Sequence, residues 1–417
     1  MMRSMYSGVA GMRAHQVWMD VIGNNIANVN TVGFKSGQVS FQDALCQTVR
    51  GAAALIEGGL GGVNPLQIGL GVKMGTVTNN FAQGSLMMTG RMLDLSMQGE
   101  GFFILSSGVT QYYSRAGSLG FDADGYMVNP ANGLRVQGWL ADANGNIDTE
   151  AQVEDVHVNM NATMQPKATE RFEFRGNINA TLAVGGTAAA SMDVRDSLGN
   201  NHTVEITFTK TGENAWSWAA TQPAGAIGNG TLTFNTEGLL DGFTPAPPMV
   251  GFDPGGGAAV LNIELDLGWS PGDPPSPNAL TQYAKATSAA GIYQDGYPSG
   301  ELQGVTISED GIISGFFSNG KNRPLAQIAV ASFNNPGGLL KEGGNTYVGT
   351  INSGLPNIGT FGTGNRGTVT VGALEMSNVD LAQEFSNLIS AQRGFQANTR
   401  IIATVDQVMT DVVALKR

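Results

Sequence analysis

Residues 381–415 read LAQEFSNLISAQRGFQANTRIIATVDQVMTDVVAL, and their spacing decides the fold. Leu381, Leu388, Phe395, Ile402 and Met409 recur every seven residues, the period of a helix that lays one stripe on a partner. Phe385 and Val413 supply part of a second column, with Gln392, Thr399 and Asp406 between them. A further stripe of Ile401, Val405, Val408, Val412 and Leu415 lies near the end. One helix with two apolar stripes has two neighbours to satisfy. Ser377 with Asp380 reads as a capping box that opens it.

The partner stripe stands at the other end of the chain. Met5, Val9, Met12, Met19 and Ile26 fall on heptad a/d spacing, Gln16 and Gly23 fill the weaker slots, and Val17, Val21 and Ile22 broaden the face. Gly8 and Gly11 each cost a helix about 1 kcal/mol relative to Ala, which implies that a neighbouring backbone comes close. Asn24, Asn25, Asn28 and Asn30 then end the helix, because Asn competes for backbone hydrogen bonds. Periodicity alone leaves the core of an ordinary helical bundle open. Magnitudes favour assembly. A helix of some 38 residues extends about 57 Å, and burying eight large side chains gives roughly 12–24 kcal/mol. Ordering the backbone costs about 1–2 kcal/mol per residue. A lone pair of these helices is marginal, so they are expected to order fully against other copies of the chain.

Between the ends the pattern changes to strand and turn. Asp155–Met160, Arg171–Arg175, Val204–Phe208 and Leu261–Leu267 alternate apolar and polar residues. Turn pairs such as Asp124-Gly125, Asn132-Gly133, Asn144-Gly145, Asp310-Gly311 and Asn319-Gly320 separate such runs, and Gly/Pro-rich stretches at 244–254 and 268–277 mark a loop or domain edge. Composition agrees: 59 Gly is about twice the usual share, and 13% charged residues about half of it. Broad, weakly charged surfaces suit a subunit covered by copies of itself. The net charge of −12 leaves no basic stripe for nucleic acid. Residues 1–35 carry +2 and 377–417 carry zero, so the middle holds −14. No apolar run is long enough to span a membrane, and the first residues lack the pattern of a cleaved signal peptide.

Helices that pair from both ends around a β middle require the chain to go out and come back. The expected fold is mainly β with α-helical termini. The paired, coiled-coil-like helices and a linker occupy 1–75 and 375–417, a middle β domain 76–170 and 300–374, and an inserted outer β domain 171–299.

Met19–Asn28 (MDVIGNNIAN), followed by Thr31-Val-Gly-Phe-Lys35, resembles the N-terminal signature of bacterial flagellar rod and hook proteins, in which Asn24, Asn25, Ala27, Asn28, Gly33, Phe34 and Lys35 stand. Asn378-Val-Asp-Leu381 and Ala391-Gln392-Arg393-Gly394-Phe395-Gln396 look like the matching C-terminal signature. Gln98–Phe103, Tyr113-Ser-Arg-Ala-Gly117, Asp122-Ala-Asp-Gly125 and Leu134–Gly138 resemble the β domain the family shares. Rod members mostly lack a large inserted domain such as 171–299, and the stretch Gly33–Gly37 with Ser40-Phe41 also looks more like hook than rod. The resemblance implies a self-assembling helical homopolymer: a flexible curved tube that transmits torque from rod to filament. It implies terminal helices lining the tube, and rod, hook-cap and hook–filament junction proteins as neighbours. It also implies delivery outside the cell by the flagellar type III export apparatus. A distal rod subunit with an extra domain, and a surface adhesin or carbohydrate-active β protein, are the alternative readings.

The motifs that could carry chemistry point elsewhere. Gly362-Thr-Gly-Asn-Arg-Gly367 matches G-x-G-x-x-G without a βαβ unit around it, and reads as a turn into the strand Thr368–Val371. Asp142–Asp148 is spaced in part like a calcium loop but has its glycine misplaced, so a hairpin turn explains it. His15, His157 and His202 lie far apart, and no zinc or hydrolase motif is present. Cys46 reads as a small buried or interfacial hydrophobe. Neither catalysis nor a cofactor is expected.

Overall fold

A computed structural model describes residues 2–52, 63–223 and 225–414. Two long helices stand at the ends, α1 (Met2–Ala27) and α2 (Leu381–Ala414), and strands fill the rest. This is the fold class the sequence implied. The chain divides into two compact units, one of residues Met1–Asn159, Val305–Ser314 and Arg323–Arg417, the other of Met160–Gly304 and Gly315–Asn322.

In the first unit outgoing and returning chain interleave. Leu86–Met88 pairs with Ala373–Glu375, and Leu95–Gln98 with Thr368–Val371. Phe102–Phe103 lies against Val330–Ala331, and Tyr113 against Tyr347. These strands bury Phe102, Ile104, Tyr113, Trp139, Phe333 and Tyr347 in one aromatic core. Gly117 shows how tightly it closes, since a Cβ there would sit 1.7 Å from the Leu95 carbonyl oxygen. A separate antiparallel ribbon, Gly37–Asp43 with Val72–Asn79, packs on α1 and is continued by Cys46–Arg50 with Leu66–Gly69. Cys46 is exposed there, not buried, and its thiol is pushed up by a hydrogen bond to Asp43. The G-x-G-x-x-G loop closes by a Gly362 N–H bond to Gly367 O and feeds the strand Thr368–Val371.

The second unit is a β-sandwich. One sheet is a meander of Thr187–Arg195, Asn201–Gly212, Ala215–Gln222, Gly225–Phe234 and Leu240–Thr244. The other carries Met249–Phe252, Leu261–Asp266, Arg171–Asn179, Leu280–Tyr283 and Ala290–Gln294. Inward-facing Phe172, Phe174, Phe208, Trp216, Trp218 and Ile263 form the shared core. Three of the four alternating runs are strands, but Asp155–Met160 is not. Only Glu154–Asp155 joins a ladder, while Val156 and Val158 are buried as a coil.

Asx turns account for the acidic loops. Asp142 Oδ1 accepts the N–H groups of Asn144 and Asn146, both at 2.8 Å. Asp196, 1% exposed, accepts from Leu198 and Asn200 N–H, the Asn200 amide and His202 Nε2. Burial alone would raise its carboxyl, but the bonds from His202, Asn200 and Leu198 outweigh that and hold it at about 2. A depressed carboxyl stabilises the fold above the unfolded value of about 4. We expect Asp196→Asn to remove about 1–2 kcal/mol at neutral pH. In urea titrations from pH 7 to 2 the native chain should lose this advantage as pH falls through that window. A pH-independent difference would exclude this account.

Candidate functional site: the helix seam and the clasp beside it

α1 and α2 pack antiparallel, and the closest approach is made by small residues. Gly8 meets Ile402 and the Asn398 carbonyl oxygen, and Gly394 lies under the His15 ring. At Gly11 an added Cβ would fall 2.6–2.8 Å from the Asn398 amide. Towards the other end Ile22, Asn25 and Ala391 are buried, and Asn25 Nδ2 donates to Glu384 Oε1 at 3.2 Å. The seam is therefore Gly8, Gly11, His15, Ile22 and Asn25 against Glu384, Ala391, Gly394, Asn398 and Ile402.

This corrects the heptad columns at both ends. Met5, Val9, Met12, Met19 and Ile26 are half-buried and flank the seam instead of forming it. On α2, Leu388, Phe395 and Ile402 are half-buried along the pairing face, whereas Leu381 and Met409 are exposed. The second column lies three residues on from the first, through Ala391, Asn398 and Val405, and not four. Phe385 and Val413, assigned to it from sequence, stand 50% and 70% exposed. The physical reason is size, because helices that touch through Gly, Ala and Asn come closer than Met and Phe permit. Val412 is exposed, as are Gln392, Arg393, Asn24 and Ala27, and Leu415 lies outside the described residues. The cap also differs. Asp380 caps α2 by accepting the Ala382 N–H at 2.9 Å, so the helix opens three residues beyond the expected box.

We expect Gly11→Leu to overpack the seam and cost about 1–3 kcal/mol. Gly23 has nothing within 4 Å of an added Cβ, so Gly23→Leu should be neutral or stabilising. Thermal melts followed by helical dichroism compare the two, and equal effects would refute the close-packed seam.

Where α1 meets the β region, signature residues form a clasp. Asn25 exchanges hydrogen bonds with the Gly37 backbone, both at 2.9 Å. Asn28 Nδ2 donates to Asn24 O at 2.9 Å and helps close the helix end. Gly33, at φ +68°, gives its N–H to Glu375 O at 2.7 Å, and a Cβ there would collide with the Ala116 backbone. Phe34 is buried with Lys341 Nζ 4.0 Å above its ring. Lys35, with no exposed surface, donates to Glu375 Oε1 at 2.6 Å and Ala82 O at 2.9 Å. Burial pushes its ammonium pKa down, against the pull of Glu375. Glu375 Oε1 also accepts the Gly84 N–H at 2.9 Å, and Arg115 Nη1 stands 3.7 Å from Oε2. Asn378 accepts from Ser36 N–H at 2.9 Å and donates to Asn80 O at 2.7 Å.

Glu375 stands in none of the sequence motifs, and Arg115 and Asn378 stand in family motifs that do not declare what they bind. A lone buried acid at the end of a short strand leaves no local signal. Most of the clasp's polar contacts tie one stretch of main chain to another, the behaviour of a fastener. Among the described residues no group of three His, Cys, Asp or Glu is placed to hold a metal.

Four family descriptions match successive stretches of the chain. Residues 5–35 match "Flagella basal body rod protein", and 96–165 the D1 domain of "Flagellar hook protein FlgE/F/G". Residues 159–297 match "Flagellar basal body protein FlaE D2 domain", and 370–415 "Flagellar basal body rod FlgEFG protein C-terminal". The crystal structure of Helicobacter pylori flagellar hook protein FlgE2 shares the fold at TM-score 0.52 and 16% identity, over 70% of this chain and 100% of that one. The flagellar hook proteins FlgE of Borreliella burgdorferi and Treponema pallidum are each 38% identical over the whole of both chains. That of Escherichia coli is 34% identical over 98% of each. The chain thus belongs to the flagellar hook protein family and is a structural subunit of the flagellar hook.

Proposed function

We propose that the chain polymerises through α1 and α2 into a flexible curved tube that carries torque from rod to filament. Residues 1–75 and 375–417 would line the tube, 76–170 and 300–374 would build its wall, and 171–299 would face outward. The observation that carries this reading is the uncovered apolar side of α2. Phe385 and Ile389 are 50% and 52% exposed on the side of α2 turned away from α1, and Val412 and Val413, 48% and 70% exposed, continue the pairing side without cover. Apolar side chains along a long helix call for further helices to cover them, and copies of the same chain supply these. Weakly charged, Gly-rich β surfaces suit subunits that slide during bending, because few ion pairs fix one packing.

Rod, hook-cap and hook–filament junction proteins are the proposed neighbours, and the flagellar type III apparatus the proposed route out of the cell. Electron micrographs of the concentrated protein test the assembly. Curved tubes are expected, straight rods would move the chain to a rod role, and the lack of any polymer would defeat the proposal.

A further inference from the structure

We infer that the β-sandwich unit carries a binding pocket for a neutral saccharide, formed between its two proline-rich loops. The cavity holds about 450 Å³, within the range of small-ligand sites. Its apolar walls include the half-buried rings of Phe243 and Trp269, edge-to-face with centroids 5.6 Å apart. Trp269 Nε1 donates to Asp273 O at 2.9 Å, which fixes the indole, and Pro247 stiffens the facing loop. Arg171, Glu264 and Asp266 line the same space.

These groups do not describe an anion site. Asp266 neutralises Arg171 through bonds from its Nε and Nη2, and Glu264 adds a second carboxylate. They do not describe a purely apolar site either, because charged groups and flat rings share one space. A ligand that fills it has to present a flat C–H face to the rings and several hydroxyls to the carboxylate lone pairs and remaining guanidinium N–H. A pyranose does both. The acidity of the chain's middle disfavours an acidic glycan. On the polymeric reading given above, every copy would display one pocket, and weak single sites would gain by valency.

The test uses the full-length monomer, so it does not depend on assembly. Cellohexaose, maltohexaose and chitohexaose are titrated by calorimetry, with a proline decapeptide as competitor class. At least one hexaose should bind saturably. Trp269→Ala should weaken it about tenfold or more, equivalent to about 1.4 kcal/mol. Glu264→Gln, on an exposed strand position, should weaken it severalfold without lowering the melting temperature. Three results would each overturn the inference: no binding by any hexaose, binding indifferent to both substitutions, or Trp269-dependent binding of the decapeptide alone.

Discussion

Glu375→Ala is expected to destabilise the first unit by about 3–5 kcal/mol, a third or more of a typical domain's stability. Lys35 has no exposed surface, and its ammonium would be left buried with only the Ala82 carbonyl oxygen as hydrogen-bond partner. Arg115, 4% exposed, would lose the same counter-charge, and the Gly84 N–H would lose its acceptor. Removing one member of a buried network leaves the desolvation of the others uncompensated, and that is larger than the net worth of the pair. The damage should be concentrated where the clasp joins. Hydrogen exchange should quicken at 33–37 and 373–378 before the sandwich core is affected. Glu375→Gln keeps the shape and one acceptor, so it should lose less. A loss below about 1 kcal/mol for the alanine variant would show that the network contributes little.

Ile389→Asp should abolish polymerisation and leave the monomer's melt within about 0.5 kcal/mol of the native chain. Ile389 is 52% exposed and takes no part in the seam, so a charge there costs the free subunit little. In a polymer the same position would be covered, and an unpaired carboxylate would be desolvated in every copy. Phe395→Asp is expected to act differently. Its side chain is half-buried on the seam, so it should lower the melting temperature and block assembly together. Sedimentation and electron microscopy measure assembly, and calorimetry measures the fold. Normal tubes from Ile389→Asp would remove the support that the uncovered face gives to the polymeric reading.

The terminal helices are legible because apolar spacing sustained over 26 residues in α1 and 34 in α2 leaves little choice. Their seam is not. Gly8, Gly11, Ala391 and Asn398 carry almost no hydrophobic signal, so apolar spacing puts the columns on the larger residues beside them. Gly8 and Gly11 did announce a close neighbour, through their cost to an isolated helix. In the β region Arg171–Arg175, Val204–Phe208 and Leu261–Leu267 could be read as strands from alternation. Alternation reports one-sided burial and not pairing, which is why Val156 and Val158 misled. The ribbon strands Gly37–Asp43, Cys46–Arg50, Leu66–Gly69 and Val72–Asn79 fall largely in the span expected as linker, since most of their residues are exposed and show little burial pattern. The clasp was the least legible part. Lys35 and Glu375 are 340 positions apart, and no local pattern states which distant acid will meet a buried lysine.

That separation also governs when the molecule can take shape during synthesis. A ribosome adding about 5–20 residues per second delivers Glu375 roughly 20–70 seconds after Lys35. For most of that interval Phe102–Ser106 waits for Val330–Ala331, and almost to its end Leu86–Met88 and Leu95–Gln98 lack the strands that pair with them. The sandwich, built almost wholly from 160–304, can close meanwhile. The newborn chain is therefore a folded middle preceded by a stretch whose hairpins can form but whose sheets are still incomplete. It can be held open by any factor that grips it before the last strand arrives.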